Sequence, residues 1–285
     1  MLSLIRTIRH GPLKSWNFIW VRLGKLYRFV LDIVPIKVSI EMSIGPYGPF
    51  KMDARFAFSD YKSWGGRTGK NSGFISCIDA CKGSSCVLDI GAHIGLVALP
   101  VSKVLAPKGR VYAFEPATFN RNILLRHAKL NNANNIEIID FLVGEKEIDK
   151  VVFYESKSDS PLGTIALGSN QGDFIKKYKR QISIDSFCEQ KGIIPEVIKI
   201  DVEGAELGVL RGAQKILKRY RPTIILSVHP RELEVMGLNE NMLHSFIKSL
   251  NYICYDSNGS IVKDLVGIEY ILRPRKIIQN SVSSI

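Results

Sequence analysis

The residues best equipped for chemistry lie in Ile198-Lys199-Ile200-Asp201-Val202-Glu203-Gly204-Ala205-Glu206. Val197 to Ile200 is a short run of the kind a buried strand shows, Gly204 opens a turn, and the spacing predicts a helix over 205–220. Asp201 then stands at the carboxyl end of a central strand, where open α/β sheets bind their ligands. Glu206 suits the positive end of the following helix. Two further acids within three residues of a tight turn exceed what capping requires. The next apolar run, 221–230, closes on Val228-His229-Pro230 and delivers His229 to the same edge. Carboxylates and imidazole take a proton from a weak nucleophile near neutral pH. Asp201, Glu203 and His229 are therefore the expected catalytic edge. No spacing assigns a metal, but Asp201 and Glu203 are the hard oxygen donors one would use.

A second constellation lies upstream, in Val87-Leu88-Asp89-Ile90-Gly91-Ala92-His93-Ile94-Gly95. The run to Ile90 reads as a buried parallel strand, and apolar residues at 94, 97, 98, 101 and 105 predict a helix from Ile94. Gly91 and Gly95 would let the backbone turn sharply and a ligand approach closely. Arg110-Val111-Tyr112-Ala113-Phe114-Glu115-Pro116 is a second buried strand ending in an acid placed to accept both hydroxyls of a ribose. A dinucleotide site would carry G-x-G-x-x-G. Here the pattern is Asp-x-Gly-x-x-x-Gly, which favours a nucleoside cofactor without a pyrophosphate, S-adenosylmethionine. The expected binding set is Asp89, Gly91, His93, Gly95 and Glu115. Asp140, at the end of a third strand over 136–143, is assigned to the adenine amine.

These three blocks, in this order and with these separations, resemble the FkbM-type S-adenosylmethionine-dependent methyltransferases over about 86–230. His93 departs from the pattern, which more often has Asn there. The resemblance implies a class I methyltransferase fold: a Rossmann-type, seven-stranded, mostly parallel sheet with helices on both faces and an antiparallel final strand. It also implies O-methylation, with a hydroxyl of a sugar, a glycan or lipid-linked saccharide, or a natural product as acceptor. Two alternatives are a nicotinamide-dependent oxidoreductase, opposed by the missing glycine, and a basic membrane- or nucleic-acid-binding protein on a methyltransferase scaffold, opposed by the intact acids.

Those motifs divide the 285 residues into an extension at 1–36, a lead-in at 37–85, a methyltransferase domain at 86–275 and a frayed tail at 276–285. A formal charge of +12 points to acidic partners, yet no aromatic-basic pattern of nucleic-acid recognition is present. Five cysteines without a C-x-x-C pair read as reduced thiols in a cytoplasmic protein. In the extension, Trp16, Ile19, Trp20, Leu23, Leu26, Tyr27, Val30, Ile33 and Val34 recur at helical spacing beside Lys14, Arg22, Lys25 and Arg28. Charge interrupts this run too often for a membrane span. It either packs on the domain or another subunit, or lies on an anionic membrane surface through residues 14–34, at the inner face.

The lead-in reads as a hairpin (36–42 and 50–53), then the glycine-rich Trp64–Lys70, a flexible segment or a lid presenting Arg67 or Lys70, then a helix at 74–81. The Ser/Gly-rich stretch 156–173 is expected to face the substrate. Asp185 is read as a helix cap.

Overall fold

A computed structural model describes residues 17–33, 38–65, 71, 73–156, 163–164, 174–265 and 269–275. Trp16, Lys14, Val34, Arg67, Lys70, most of the 156–173 stretch and the tail lie outside the described residues, as does the side chain of Lys25.

In chain order, helix α1 (Asn17–Ile33) precedes a hairpin of β1 (Ser39–Ile44) and β2 (Tyr47–Asp53), and α2 (Phe74–Cys81) leads into β3 (Cys86–Ile90). The βα alternation follows as α3 (Ala98–Val104), β4 (Arg110–Phe114), α4 (Thr118–Leu130) and β5 (Ile136–Ile139). An insertion then supplies β6 (Leu142–Val143), β7 (Ile148–Ser156), β8 (Gly163–Thr164) and β9 (Phe174–Ile182). The chain returns through α5 (Ile184–Lys191), β10 (Val197–Ile200), α6 (Glu206–Arg211), α7 (Gln214–Arg219) and β11 (Thr223–Ser227). It ends with α8 (Pro230–Val235), α9 (Glu240–Ser249), β12 (Tyr252–Tyr255) and β13 (Glu269–Pro274).

The main sheet has the order β12-β13-β11-β10-β3-β4-β5, parallel except for β13, which runs against both its neighbours. This is the expected class I methyltransferase architecture. Strand order reverses between β3 and β10, and that switch point is where such sheets open a crevice. Every residue of β3 and β10 is buried, as befits strands covered on both faces. Period-two alternation splits the core: Leu88, Ile90, Ile198 and Ile200 join the cluster on one face, while Val87, Val111 and Val197 join the cluster on the other.

Several boundaries differ from expectation for physical reasons. The helix after Gly91 begins at Ala98, not Ile94, and Pro100 occupies its first turn, where a missing N–H costs nothing. The predicted helix at 205–220 breaks into α6 and α7 at Gly212, where a β-carbon would lie 2.1 Å from the Gly144 carbonyl oxygen. The strand at 136–143 splits, because Leu142 and Val143 leave the main sheet to pair with β9. Asp185 does cap a helix, but α7 and not its own: its carboxylate accepts from Lys215 N and Ile216 N, each at 2.9 Å, while Ser183 caps α5.

The hairpin of the lead-in packs into the core. Met42, Ile44, Phe50 and Met52 are buried in the second core cluster. His127, fully buried on α4, accepts at Nε2 from Asp53 N (2.9 Å) and donates from Nδ1 to Ile94 O (2.8 Å), joining the hairpin to the main domain.

Helix α1 touches the rest through Tyr27, whose hydroxyl donates to Ala54 O at 3.1 Å and whose ring meets Phe58 edge-on at 5.0 Å. Among the described residues its apolar stripe is left largely uncovered: Ile19, Leu23, Leu26, Val30 and Ile33 are 43–65% exposed. Among the described residues no helix is long and apolar enough to cross a membrane.

Candidate active site

At the carboxyl ends of β3, β4 and β10 lies a cavity of about 310 Å³, within the size range of small-molecule sites. Of the site residues read from sequence, Gly91, His93, Glu115, Asp201 and Glu203 line it. Asp89, Gly95, Asp140 and His229 do not.

Glu115 is the anchor of the cofactor side. Its Oε2 accepts from His93 N (2.7 Å) and its Oε1 from Ala117 N (2.8 Å), so the carboxyl ties the Gly91–Gly95 turn to the end of β4. The Asn120 side chain also hydrogen-bonds this carboxyl, which lines the cavity. Burial raises its pKa to about 7 against the pull of those N–H groups. His93 takes φ +53°, a region in which Asn, Asp and His are enriched among non-glycine residues. The turn thus accepts His at this position. Burial, then the Lys199 charge, lowers its pKa to about 4, so its ring is neutral near pH 7.

Both glycines are also required by packing. A β-carbon on Gly91 would sit 1.9 Å from the Asp201 carbonyl oxygen, and one on Gly95 would sit 2.5 Å from Leu124 Cδ1. Asp140 is not at the cavity but on the surface, where Arg121 Nη1 donates to its Oδ1 at 2.6 Å and Lys179 Nζ stands 3.2 Å away.

Asp89, 1% exposed, faces Lys199 across the parallel pair of β3 and β10. Lys199 Nζ lies 3.2 Å from Asp89 Oδ1, 3.3 Å from Asp201 Oδ2 and 3.3 Å from Gly91 O. Burial works against the ammonium, but Asp89 and Asp201 outweigh it and raise its pKa. Lys199 is thus a fixed cation beneath the site, absent from the candidates read from sequence. The signal was there: a lysine inside an apolar strand needs a buried counter-charge.

Asp201 is half-buried beside this cation. Burial pushes its pKa up, but Lys199 and then His229 prevail and hold it below the ordinary carboxylate value. Glu203 takes φ +49° in the turn, and burial raises its carboxyl above the usual range, opposed by His229. His229 sits behind both. Its Nε2 is 3.4 Å from Asp201 and 4.0 Å from Glu203, and its Nδ1 donates to the fully buried Glu206 at 2.7 Å. Burial disfavours its charge, yet Glu206, Asp201 and Glu203 together raise its pKa to about 9. His229 thereby bridges Glu206 and the two acids of the turn.

The far wall comes from residues outside the expected site set: Phe153 and Gln181 of the inserted sheet, Trp64 and Phe74 of the lead-in, and Glu269 of β13. Trp64 and Phe74 meet edge to face at 5.6 Å.

A family model described as "Methyltransferase FkbM domain" matches residues 89–254, more than half of the chain. Among solved structures, similarity extends to the methyltransferase FkbM from Methylobacillus flagellatus KT at 21% identity, covering 67% of this chain and 44% of that one, TM-score 0.42. This chain therefore spans less than half the length of that protein. Another is an O-methyltransferase from Bacillus cereus in complex with SAH, at 14% identity, covering 73% and 82% of the two chains, TM-score 0.43. A third is precorrin-6y C5,15-methyltransferase from Geobacter metallireducens GS-15, at 13% identity, covering 72% and 87%, TM-score 0.40. A search of the curated proteins found no match.

Proposed function

The chain belongs to the FkbM methyltransferase family, whose methyl donor is S-adenosylmethionine, and from that premise we propose that it methylates a hydroxyl on a sugar, a glycan or lipid-linked saccharide, or a natural product. Membership sets aside the nicotinamide alternative. The residues fit the donor: the Glu115 carboxyl lines the cavity at the end of β4, where a ribose diol would meet it, and the carboxylates of Asp201 and Glu203 suit a cationic sulfonium. When bound, the donor supplies an already activated methyl, so the protein needs no covalent intermediate.

The observation that carries the hydroxyl reading is the carboxylate pair on the β10 turn. Lys199 and His229 keep Asp201 ionised, while Glu203 titrates higher beside it. Two carboxylates would hold an amine in its protonated, unreactive form. Against a neutral hydroxyl they accept the proton and raise its nucleophilicity, an effect worth roughly 10²–10⁴-fold. Holding donor and acceptor in line contributes more, about 7–11 kcal/mol of the barrier.

The test is incubation with methyl-labelled S-adenosylmethionine and fractionated cell extract, followed by chemical assignment of the labelled atom. Label on an oxygen, lost in Asp201→Asn together with at least tenfold of kcat, is the expected result. Label on nitrogen or carbon, or an Asp201→Asn chain with wild-type kcat, would overturn the assignment.

A further inference from the structure

Helix α1 carries an apolar stripe that nothing in the described fold covers. Ile19, Leu23, Leu26, Val30 and Ile33 follow one another at intervals of four, three, four and three, one side of an α-helix, and each is 43–65% exposed. Phe29, 61% exposed, flanks them. Tyr27 ties the helix to the body, and Leu23, Leu26 and Val30 line an apolar groove of about 330 Å³ together with Phe58. Soluble surfaces seldom leave so continuous an apolar strip without a partner.

The charge around the stripe selects the partner. Residues 1–36 contain Arg6, Arg9, Lys14, Arg22, Lys25 and Arg28 against the single acid Asp32, in a chain of net charge +12. A second copy of this helix would bring the same cations against these. An anionic bilayer supplies both what the stripe lacks and what the cations attract: an acyl boundary for the apolar side and phosphate headgroups beside it. We propose that α1 lies in the plane of an anionic lipid surface, with Ile19, Leu23, Leu26, Val30 and Ile33 immersed at the acyl boundary. The contact has a consequence for the site. Tyr27 grips Ala54 and Phe58, and the same short segment continues to Trp64 on the cavity wall, so a membrane-bound α1 holds the cavity near the lipid surface.

The experiment uses the full chain and vesicles of phosphatidylcholine with or without phosphatidylglycerol. Cosedimentation should require phosphatidylglycerol and weaken as salt rises, because exposed charges are screened over about 10 Å at 0.1 M. Leu23→Glu/Val30→Glu alters two exposed side chains, and should lower partitioning by roughly tenfold or more while S-adenosylmethionine affinity is unchanged. Equal vesicle binding by that variant overturns the proposal. So does light scattering that finds a dimer which the same double substitution turns into monomers, since the stripe would then be a contact between copies.

Discussion

His229 stands 2.7 Å from Glu206 through Nδ1, while its Nε2 faces Asp201 at 3.4 Å, so one imidazolium joins the end of β11 to both sides of the β10 turn. Glu206 is fully buried and also accepts from Gly204 N at 3.1 Å, which makes it the fixed end of the arrangement. The ring is the hinge on which the geometry of Asp201 and Glu203 depends.

The first prediction follows from that charge. The folded pKa of His229 is raised from 6.5 to about 9. The stabilisation from its proton is complete below pH 6.5 and disappears as pH rises through 9. For a side chain 19% exposed this amounts to about 2–3 kcal/mol. His229→Gln should lower stability by that order at pH 6, and the difference from wild type should vanish above pH 9, as read by urea unfolding across pH. Activity should decline above pH 9. A rise in kcat through pH 6.5 that His229→Gln abolishes would make it the base after all.

Glu115 gives the opposite sign. Its pKa is raised from 4.5 to about 7, so its ionisation costs stability as pH rises across that window. Ribose hydroxyls donate to the carboxylate and favour the charged form, so cofactor binding should release a proton and weaken below pH 7. Calorimetry in buffers of different ionisation enthalpy measures that proton. Glu115→Ala should remove the pH dependence and about 1.5–3 kcal/mol of affinity. Unaltered binding would take Glu115 out of the site.

Much of this was legible in the sequence because the responsible forces are local or periodic. The buried runs at Val87–Ile90 and Val197–Ile200, the acids ending them and the helix at Phe74–Cys81 all follow from pattern alone. Asp140 was misplaced because its strand ends at Ile139 and the chain turns into the inserted sheet, leaving the carboxylate with Arg121 and Lys179. That Gly91 and Gly95 stand in a tight turn is legible in the sequence; that Asp201 O and Leu124 Cδ1 crowd them is not. A sequence records that a β-carbon is excluded, not which atom excludes it. Lys199 was missed because its partner Asp89 lies 110 residues earlier, in register only once the strands pair.

That cross-strand pair supports a third prediction. Lys199→Met leaves the carboxylate of Asp89, 1% exposed, without its counter-charge. Removing one partner of a buried pair costs about 3–5 kcal/mol. Urea unfolding should show that loss with an unchanged m-value, and Asp89→Asn/Lys199→Met should recover most of it. If the double variant is no more stable than Lys199→Met alone, the pair does not govern the fold.

The two glycines of the β3 turn should respond differently to the same added methyl group. At Gly91 the obstacle is the backbone of β10: the Asp201 carbonyl oxygen at 1.9 Å can retreat only if adjacent central strands part. Its φ of +82° adds strain for any side chain. Gly91→Ala should cost more than about 4 kcal/mol, or leave no soluble protein, and no single side-chain truncation should rescue it. At Gly95 the obstacle is the end of a side chain, Leu124 Cδ1 at 2.5 Å, with a φ of +91°. Gly95→Ala should cost about 2–3 kcal/mol, of which roughly 1–2 kcal/mol is backbone strain that nothing repairs. Replacing Leu124 by Val removes the obstructing carbon, so Gly95→Ala/Leu124→Val should unfold at a higher urea concentration than the sum of the single changes predicts, a coupling that a double-mutant cycle reads directly. Strict additivity would mean that the methyl finds room elsewhere and that Gly95 is required for its backbone conformation alone.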